Sequence, residues 1–590
     1  MPGLRFALVL LAFTPLAPPL ADAQTAPPSA SSKALAEILD DNHRHELEVN
    51  YHAQMQAGQK VTRLPDVSIE WSRKWVEFAR SVRARLAKLD PAGLSQEEQL
   101  TREILDWETQ ASIGVLDHFW AGFQVTAYNS PLRGLERVFA VHTFEGEADT
   151  ARYLELLRQY ATLAGQLRAN LETQRSRGML LPKEAIDAVA TLFRALAVKP
   201  EASPLTVAPA RLAALPPEKA AAFEAEVRRL LETSVNPALE GLAALITAED
   251  YRRAAPERTG LGQYPGGDAA YRQLVRYHTS LDLTPEEIHR RGLAEVARIE
   301  ARMAGLREKL GFKGTQGEFH RSLKTDPRFL AKTPDDVAER LMAPIRRIEP
   351  LVSSYFLRTP KAPYGVARLA PRLEAVMTYG YYQGPTPDKP RGDYLFNASR
   401  LDQRSQLNAA ALIYHELVPG HHFQIALQME NESLPAFRRN SLPTAFAEGW
   451  GEYASDLAEE MGLYTDPYEL YGRLGMDAFL SARLVVDTGM NALGWPRQKA
   501  IDFMREHTLE SDVQIDTETL RYAVDIPGQA LAYKTGASKF WELRRKAEKA
   551  LGPKFDLRRF HEAVLGSGAM PLTILEKQVD RWIGEETKTD

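Results

Sequence analysis

The chain has 590 residues, 44% of them apolar, enough for one large body with a sizeable core. A net charge of −5 and a pI near 6.3 leave no electrostatic footprint for nucleic acid, and no basic cluster interleaved with aromatics occurs. With no cysteine in the sequence, a disulfide framework, a Cys-based metal site and a thiol nucleophile are excluded.

The first residues, MPGLRFALVLLAFTPLAPPLADAQ, read as a secretory signal: Arg5, an apolar run from Phe6 to Leu16, and an A-x-A cleavage site at Ala21-Asp22-Ala23. This predicts removal of residues 1–23 and a periplasmic or secreted protein. Pro15, Pro18 and Pro19 interrupt the apolar run and argue against a membrane anchor, no later stretch is apolar enough to span a bilayer, and no cysteine follows to carry a lipid. Residues 24–33 (QTAPPSASSK) read as a disordered linker. Residues 34–590 read as a single large, mainly helical domain: a helical part to about 365, a small sheet over 373–398 and a second helical part over 401–590.

Helical periodicity covers Trp71 to Leu89, Asp149 to Arg175, Pro217 to Leu245 and Pro285 to Leu310. The last starts at Thr284-Pro285-Glu286-Glu287 and stops at Gly311. Leu373 to Gln383 and Asp393 to Ala398, rich in aromatic and β-branched residues and separated by GPTPDKPRG, read as two strands. Helices resume over 404–431, 443–463, 474–493, 517–531, 536–551 and 571–583. The fold class is mostly α with a small β-sheet.

Chemistry concentrates in HELVPGHH, His415 to His422. A His followed by Glu opens like the HExxH helix of zinc peptidases, where two histidines one turn apart bind the ion and the Glu acts as base. Here Pro419 stands where the second histidine belongs, and the next histidines come six and seven residues after His415. On a regular helix such pairs are about 9 and 10.5 Å apart along the axis, too far to share bonds of about 2.0–2.1 Å. Pro419, whose ring clashes with the carbonyl of His415, and the permissive Gly420 predict a bulge that brings His421 to the position of a fourth residue. His421 is the preferred second ligand and His422 the runner-up, the latter otherwise lying behind a ligand or facing substrate. His45-Glu46 with His52 has similar spacing but nothing to bend the helix, and reads as an amphipathic surface.

A catalytic zinc takes three protein ligands, and His₂Glu is one standard set. AFAEGWGEY supplies Glu448 among apolar residues, where a carboxylate needs a cation or hydrogen-bond partner. Glu452 and Asp456 follow at four-residue steps, so one solvated stripe is the alternative. Gly449 and Gly451 argue instead for close packing of two helices.

HELVPGHHFQ, AFAEGWGEY and PGQALAYKTG, in that order, closely resemble the bacterial family known as domain of unknown function 885. That family looks distantly similar to thermostable carboxypeptidases and thimet-type oligopeptidases, mostly helical zinc peptidases with HExGH or HExxH and a Glu on the next helix. Dipeptidyl peptidase III has one extra residue in its motif; this chain has two. The resemblance implies a large helical zinc-peptidase-like body with its sheet beside the cleft, Zn²⁺ held by His415, His421 and Glu448, and Glu416 as base. It nominates Tyr533, and with it Tyr522 and Arg521, for the substrate side: Tyr533 donating to an oxyanion, Arg521 holding a substrate carboxylate. The implied function is metal-assisted hydrolysis of a peptide or small amide substrate, which the strands could align by edge pairing. Two alternatives share these residues: a metal-free binding or envelope protein on a peptidase scaffold, and a metal hydrolase of a non-peptide amide or ester. No G-x-S-x-G occurs, so triad serine chemistry has little support.

Overall fold

The computed structural model describes residues 27–374, 380–386 and 389–588. The expected signal peptide lies outside them. Part of the expected linker is helical: Ser29 accepts a hydrogen bond from Ser32 N and starts α1 (Ala30–Val49) inside that segment. The capping serine, with Leu35 and Ile38 buried against Val82 and Leu86, outweighs the polar composition of the residues before it. The HELEVNYH segment does not run on as one helix. It breaks at Asn50, whose side chain accepts from His52 N, and His45 stacks on Phe78 with ring centroids 3.9 Å apart.

The long helices expected from periodicity are present, α2 (Glu147–Ser176) and α3 (Pro285–Lys309) among them. Thr284 caps α3 by accepting from Glu287 N, and Gly311 ends it with φ of 76°. The stretch expected from Pro217 to Leu245 is helical but widens into a π turn at Leu231–Val235, next to Pro237, which has no N–H for the ladder.

The sheet has three strands, β1 (Tyr364–Arg368), β2 (Tyr381–Gln383) and β3 (Gly392–Phe396), in the order β1-β3-β2. β1 pairs with β3 in parallel, Tyr364 opposite Gly392; β2 pairs with β3 antiparallel, Tyr382 opposite Tyr394. Of the expected strand from Leu373 to Gln383, the described residues form a strand at 381–383 and a helical turn at Pro371–Glu374; 375–379 lie outside the described residues. β1 has no strong strand signature. It is extended because β3 offers it a hydrogen-bonding edge.

The C-terminal helices include α4 (Ala409–Glu416), α5 (His421–Glu430), α6 (Thr444–Glu460), α7 (Pro467–Asn491), α8 (Asp512–Leu520), α9 (Ala532–Leu551) and α10 (Leu572–Lys588). α7 lies against α3, and Gly292 makes that approach possible: a Cβ there would meet Leu484 Cβ at 2.7 Å. The two largest apolar clusters both reach the C-terminal helices. Tyr414, Phe446, Trp450 and Phe540 belong to one; Phe479, Tyr522 and the partly buried Tyr533 belong to the other. Among the described residues, no helix is long and apolar enough to cross a membrane.

Candidate metal centre

The HELVPGHH segment is interrupted more completely than a bulge requires. α4 ends at Glu416, residues 417–420 turn back, and α5 begins at His421. The Val418–Pro419 peptide is cis. Gly420 lies against the end of α4 so tightly that a Cβ would meet the His415 carbonyl oxygen at 1.8 Å, which any other residue would forbid. The turn is pinned by Phe423 N to Leu417 O at 3.2 Å and by Trp450 Nε1 to Pro419 O at 2.8 Å. The two extra residues are thereby consumed in the turn. The His415 and His421 rings stand 4.5 Å apart, centroid to centroid, at 82° to one another.

α6 brings Glu448 to both. Its Oε2 lies 3.6 Å from His415 Nε2 and 3.4 Å from His421 Nε2, and one donor atom from each of the three residues falls within 4.8 Å of the others. Two donors on a tetrahedral zinc with bonds of about 2.0–2.1 Å stand about 3.3–3.4 Å apart. The carboxylate-to-imidazole spacings match that figure, and two neutral imidazoles with one carboxylate suit zinc. The three residues therefore fit the expected ion. This is the one such grouping of His and acidic residues among the described residues.

Two glycines set the spacing. A Cβ on Gly451 would meet the His415 ring at 2.8 Å, so the imidazole rests on bare backbone. A Cβ on Gly449 would meet the backbone of Gly536 in α9 at 2.5 Å. The close helix packing expected from these glycines is present.

Glu452 is not part of a solvated stripe. One turn beyond Glu448, it is buried, and its Oε1 accepts from His415 Nδ1 at 2.8 Å. With Nδ1 holding its proton towards Glu452, Nε2, which faces Glu448, is the nitrogen that would supply a lone pair once its own proton is lost. Arg473 of α7 donates Nη1 to Glu452 Oε2 at 3.0 Å and Nη2 to Asp456 at 2.7 Å, so the carboxylate behind the histidine is itself held. The four-residue step to Glu452 was visible in the sequence; Arg473, on another helix, had no signal there. Glu452→Gln places an amide donor against Arg473 and should weaken zinc binding about 10- to 100-fold, read by chelator competition; unchanged affinity would remove Glu452 from this role.

Electrostatics agree with the geometry. Burial disfavours a charged imidazole, but the carboxylates of Glu448 and Glu452 outweigh it and lift His415 to about 10 in the metal-free protein. Burial likewise opposes ionisation of Glu448, yet His415 and His421 hold it far below the usual carboxylate range. Glu416 responds in the opposite direction: burial raises it, with the two histidines only partly offsetting. Its carboxylate has no hydrogen-bond partner among the described residues and keeps some accessible surface.

The remaining candidates separate. His422 faces the sheet: its Nδ1 accepts from Tyr382 Oη at 3.0 Å and its Nε2 donates to Ala362 O at 3.1 Å, so both nitrogens are used and it is no alternative ligand. Tyr533 lies beside the cluster, its ring 6.2 Å from the His415 ring and within 17° of parallel. Tyr522 is fully buried, its hydroxyl donating to Glu518 and accepting from Arg483 Nε at 2.7 Å, which removes it from the substrate side. Arg521 is tied by Nη2 to Glu518 at 2.8 Å and by Nη1 to Gln529 at 3.2 Å. A separate cavity of about 270 Å³ lies between β3, α4 and α7, lined by Tyr394, Phe396, Leu412 and Gly472; none of the three clustered donors borders it.

A mostly α-helical protein with a partly buried two-histidine, one-glutamate cluster, backed by its own carboxylate–arginine support, is the class that fold and site define. The chain belongs to the family described as bacterial protein of unknown function (DUF885), whose profile matches residues 52–579. It is similar over 95% of its length to a candidate lipoprotein from Colwellia psychrerythraea, all of which is covered, at 26% identity and a TM-score of 0.85. A candidate lipoprotein of unknown function from Shewanella oneidensis shares the fold at 17% identity and a TM-score of 0.70, over 93% of this chain and 99% of that one. No curated protein matches.

Proposed function

We propose that this protein is a zinc-dependent hydrolase of peptide bonds, acting in the periplasm or outside the cell. The observation that carries this reading is the pairing of three donors at zinc-ligand spacing with the carboxylate of Glu416, next in sequence to one of them and without a hydrogen-bond partner among the described residues. Zinc held by His415, His421 and Glu448 would supply a Lewis acid that acidifies a water molecule and polarises a carbonyl. Glu416 takes a proton at its free carboxylate and returns it to the leaving nitrogen; burial, by raising its pKa, makes it the stronger base. Burial also raises the Tyr533 phenol, so it stays protonated and can donate to a developing oxyanion. The neighbours described as candidate lipoproteins support an envelope location.

The direct test is metal analysis of the purified chain together with digestion of a peptide library. Stoichiometric zinc and cleaved amide bonds are expected; a metal-free protein that cleaves nothing when zinc is supplied would overturn the reading, and cleavage of esters alone would redirect it.

Zinc binding should also depend on pH. His415 is lifted from 6.5 to about 10, so it carries its proton at neutral pH in the metal-free protein and must lose it to become a ligand. Apparent zinc affinity should therefore rise about tenfold per pH unit between pH 7 and 9, with about one proton released per ion. Chelator competition at several pH values and calorimetry in buffers of different ionisation enthalpy measure both, and a flat profile would contradict the buried charge pair. The same raised pKa stabilises the metal-free fold fully below pH 6.5, a contribution lost as the pH climbs through about 10.

A further inference from the structure

Two arginines converge on one carboxylate behind Tyr533. Arg483 of α7 gives Nη2 to Glu518 Oε2 at 3.1 Å and Nε to Tyr522 Oη at 2.7 Å. Arg521 gives Nη2 to the same Glu518 oxygen at 2.8 Å. All three charged groups are buried, with exposures of 7% for Arg483, 6% for Arg521 and 6% for Glu518. The other acids close by do not complete the balance. Asp487 accepts from Tyr271 Oη and Gly528 N, Asp525 accepts from Tyr128 N, and neither forms an ion pair with Arg483 or Arg521. Two buried cations thus share one ion-pair partner; Asp487 and Asp525 act on Arg521 from further off, which leaves Arg483 the less compensated of the two.

The two arginines differ in what they have left to offer. Arg521 has both Nη atoms engaged and its Nε enclosed without a partner. Arg483 keeps Nη1 without a hydrogen-bond partner among the described residues, and that nitrogen is not among the enclosed, unsatisfied ones. Its guanidinium lies 4.7 Å over the ring of Tyr533, the same ring that lies 6.2 Å from the His415 imidazole. The open guanidinium donor and the His415 imidazole are therefore neighbours of the same aromatic ring.

We propose that Arg483 receives the free α-carboxylate of the substrate, which makes the protein a carboxypeptidase. This rests on the amide-hydrolase reading and moves the carboxylate contact from Arg521, the arginine singled out in sequence, to Arg483.

The test compares a pool of N-acetyl-Ala-Ala-Xaa peptides as free acids and as C-terminal amides, using the zinc-loaded full chain. The free acids should be cleaved with kcat/KM about 10- to 100-fold higher, the range for losing one charge-assisted hydrogen bond. Arg483→Met should erase that preference through a fall in the acids, and Arg483→Lys should restore part of it. Should the variants fail to fold, the wild-type comparison decides alone. Calorimetry with zinc-loaded Glu416→Gln supplies a readout independent of turnover: it should bind the acids more tightly than the amides by a similar factor. Equal cleavage of acids and amides overturns the carboxylate site and leaves the hydrolase reading standing. A binding preference for acids without cleavage of either upholds the site and overturns the hydrolase reading. Neither cleavage nor a binding difference overturns both.

Discussion

Glu416→Gln will retain zinc at wild-type stoichiometry while lowering turnover about 10²- to 10⁴-fold. The side chain keeps its size, and because the carboxylate has no hydrogen-bond partner among the described residues, the change leaves no donor stranded. Its proximity to His415 and His421 is electrostatic, and replacing the acid by a neutral amide does not disturb the contacts that hold them, which run through Glu448 and Glu452. What is lost is the carboxylate beside the cluster that has no hydrogen-bond partner among the described residues. Glu448→Ala is the matched control. It removes a donor that faces both histidines, and the purified variant should lose its metal along with its activity. Metal content measured beside kcat separates the two roles. Turnover by Glu416→Gln at the wild-type rate would dismiss Glu416 as base, and loss of zinc from it would mean that it supports the ion.

Gly449→Ala will destabilise the protein by about 2–3 kcal/mol and weaken zinc binding with it. Helix propensity alone predicts the opposite sign, since alanine is favoured over glycine in a helix interior by about 1 kcal/mol. The new methyl, however, would fall 2.5 Å from the Gly536 backbone, and backbone cannot swing aside as a side-chain tip can. α6 and α9 must move apart, and Glu448, the residue before the glycine, moves with α6. Gly305, an exposed glycine in α3 with nothing within 4 Å of an added Cβ, isolates the propensity effect. Gly305→Ala should stabilise by about 0.5–1 kcal/mol. Urea denaturation of both variants gives opposite shifts if packing governs Gly449, and a shared stabilising shift would show that the helices tolerate separation.

Some features were legible because they are local. The start and end of α3 follow from Thr284, Pro285 and Gly311, and the chain there adopts what those residues favour by themselves. HELVPGHH announced its own interruption, since a proline and a glycine between the histidines cannot continue one helix. The small residues on both sides of Trp450 announced a close helix contact. The helical start inside the expected linker and the missed β1 share one reason: packing and pairing partners distant in sequence decide those segments, Val82 and Leu86 for α1 and β3 for β1. His422 shows the same limit. Next to His421 and chemically identical, it is separated from it by the direction of its side chain, which the Tyr382 hydroxyl and the Ala362 carbonyl settle.

By itself the sequence determined the helical class, the break between His415 and His421 and the set of residues able to bind an ion, because backbone preference and donor chemistry belong to each residue wherever it lies. The tertiary structure alone decided that Arg473 props Glu452 behind His415, that Arg521 is already engaged, and that Arg483 has a donor to spare. Those facts depend on which helices meet and at what distance, and the attraction between charges is set by separation in space rather than along the chain.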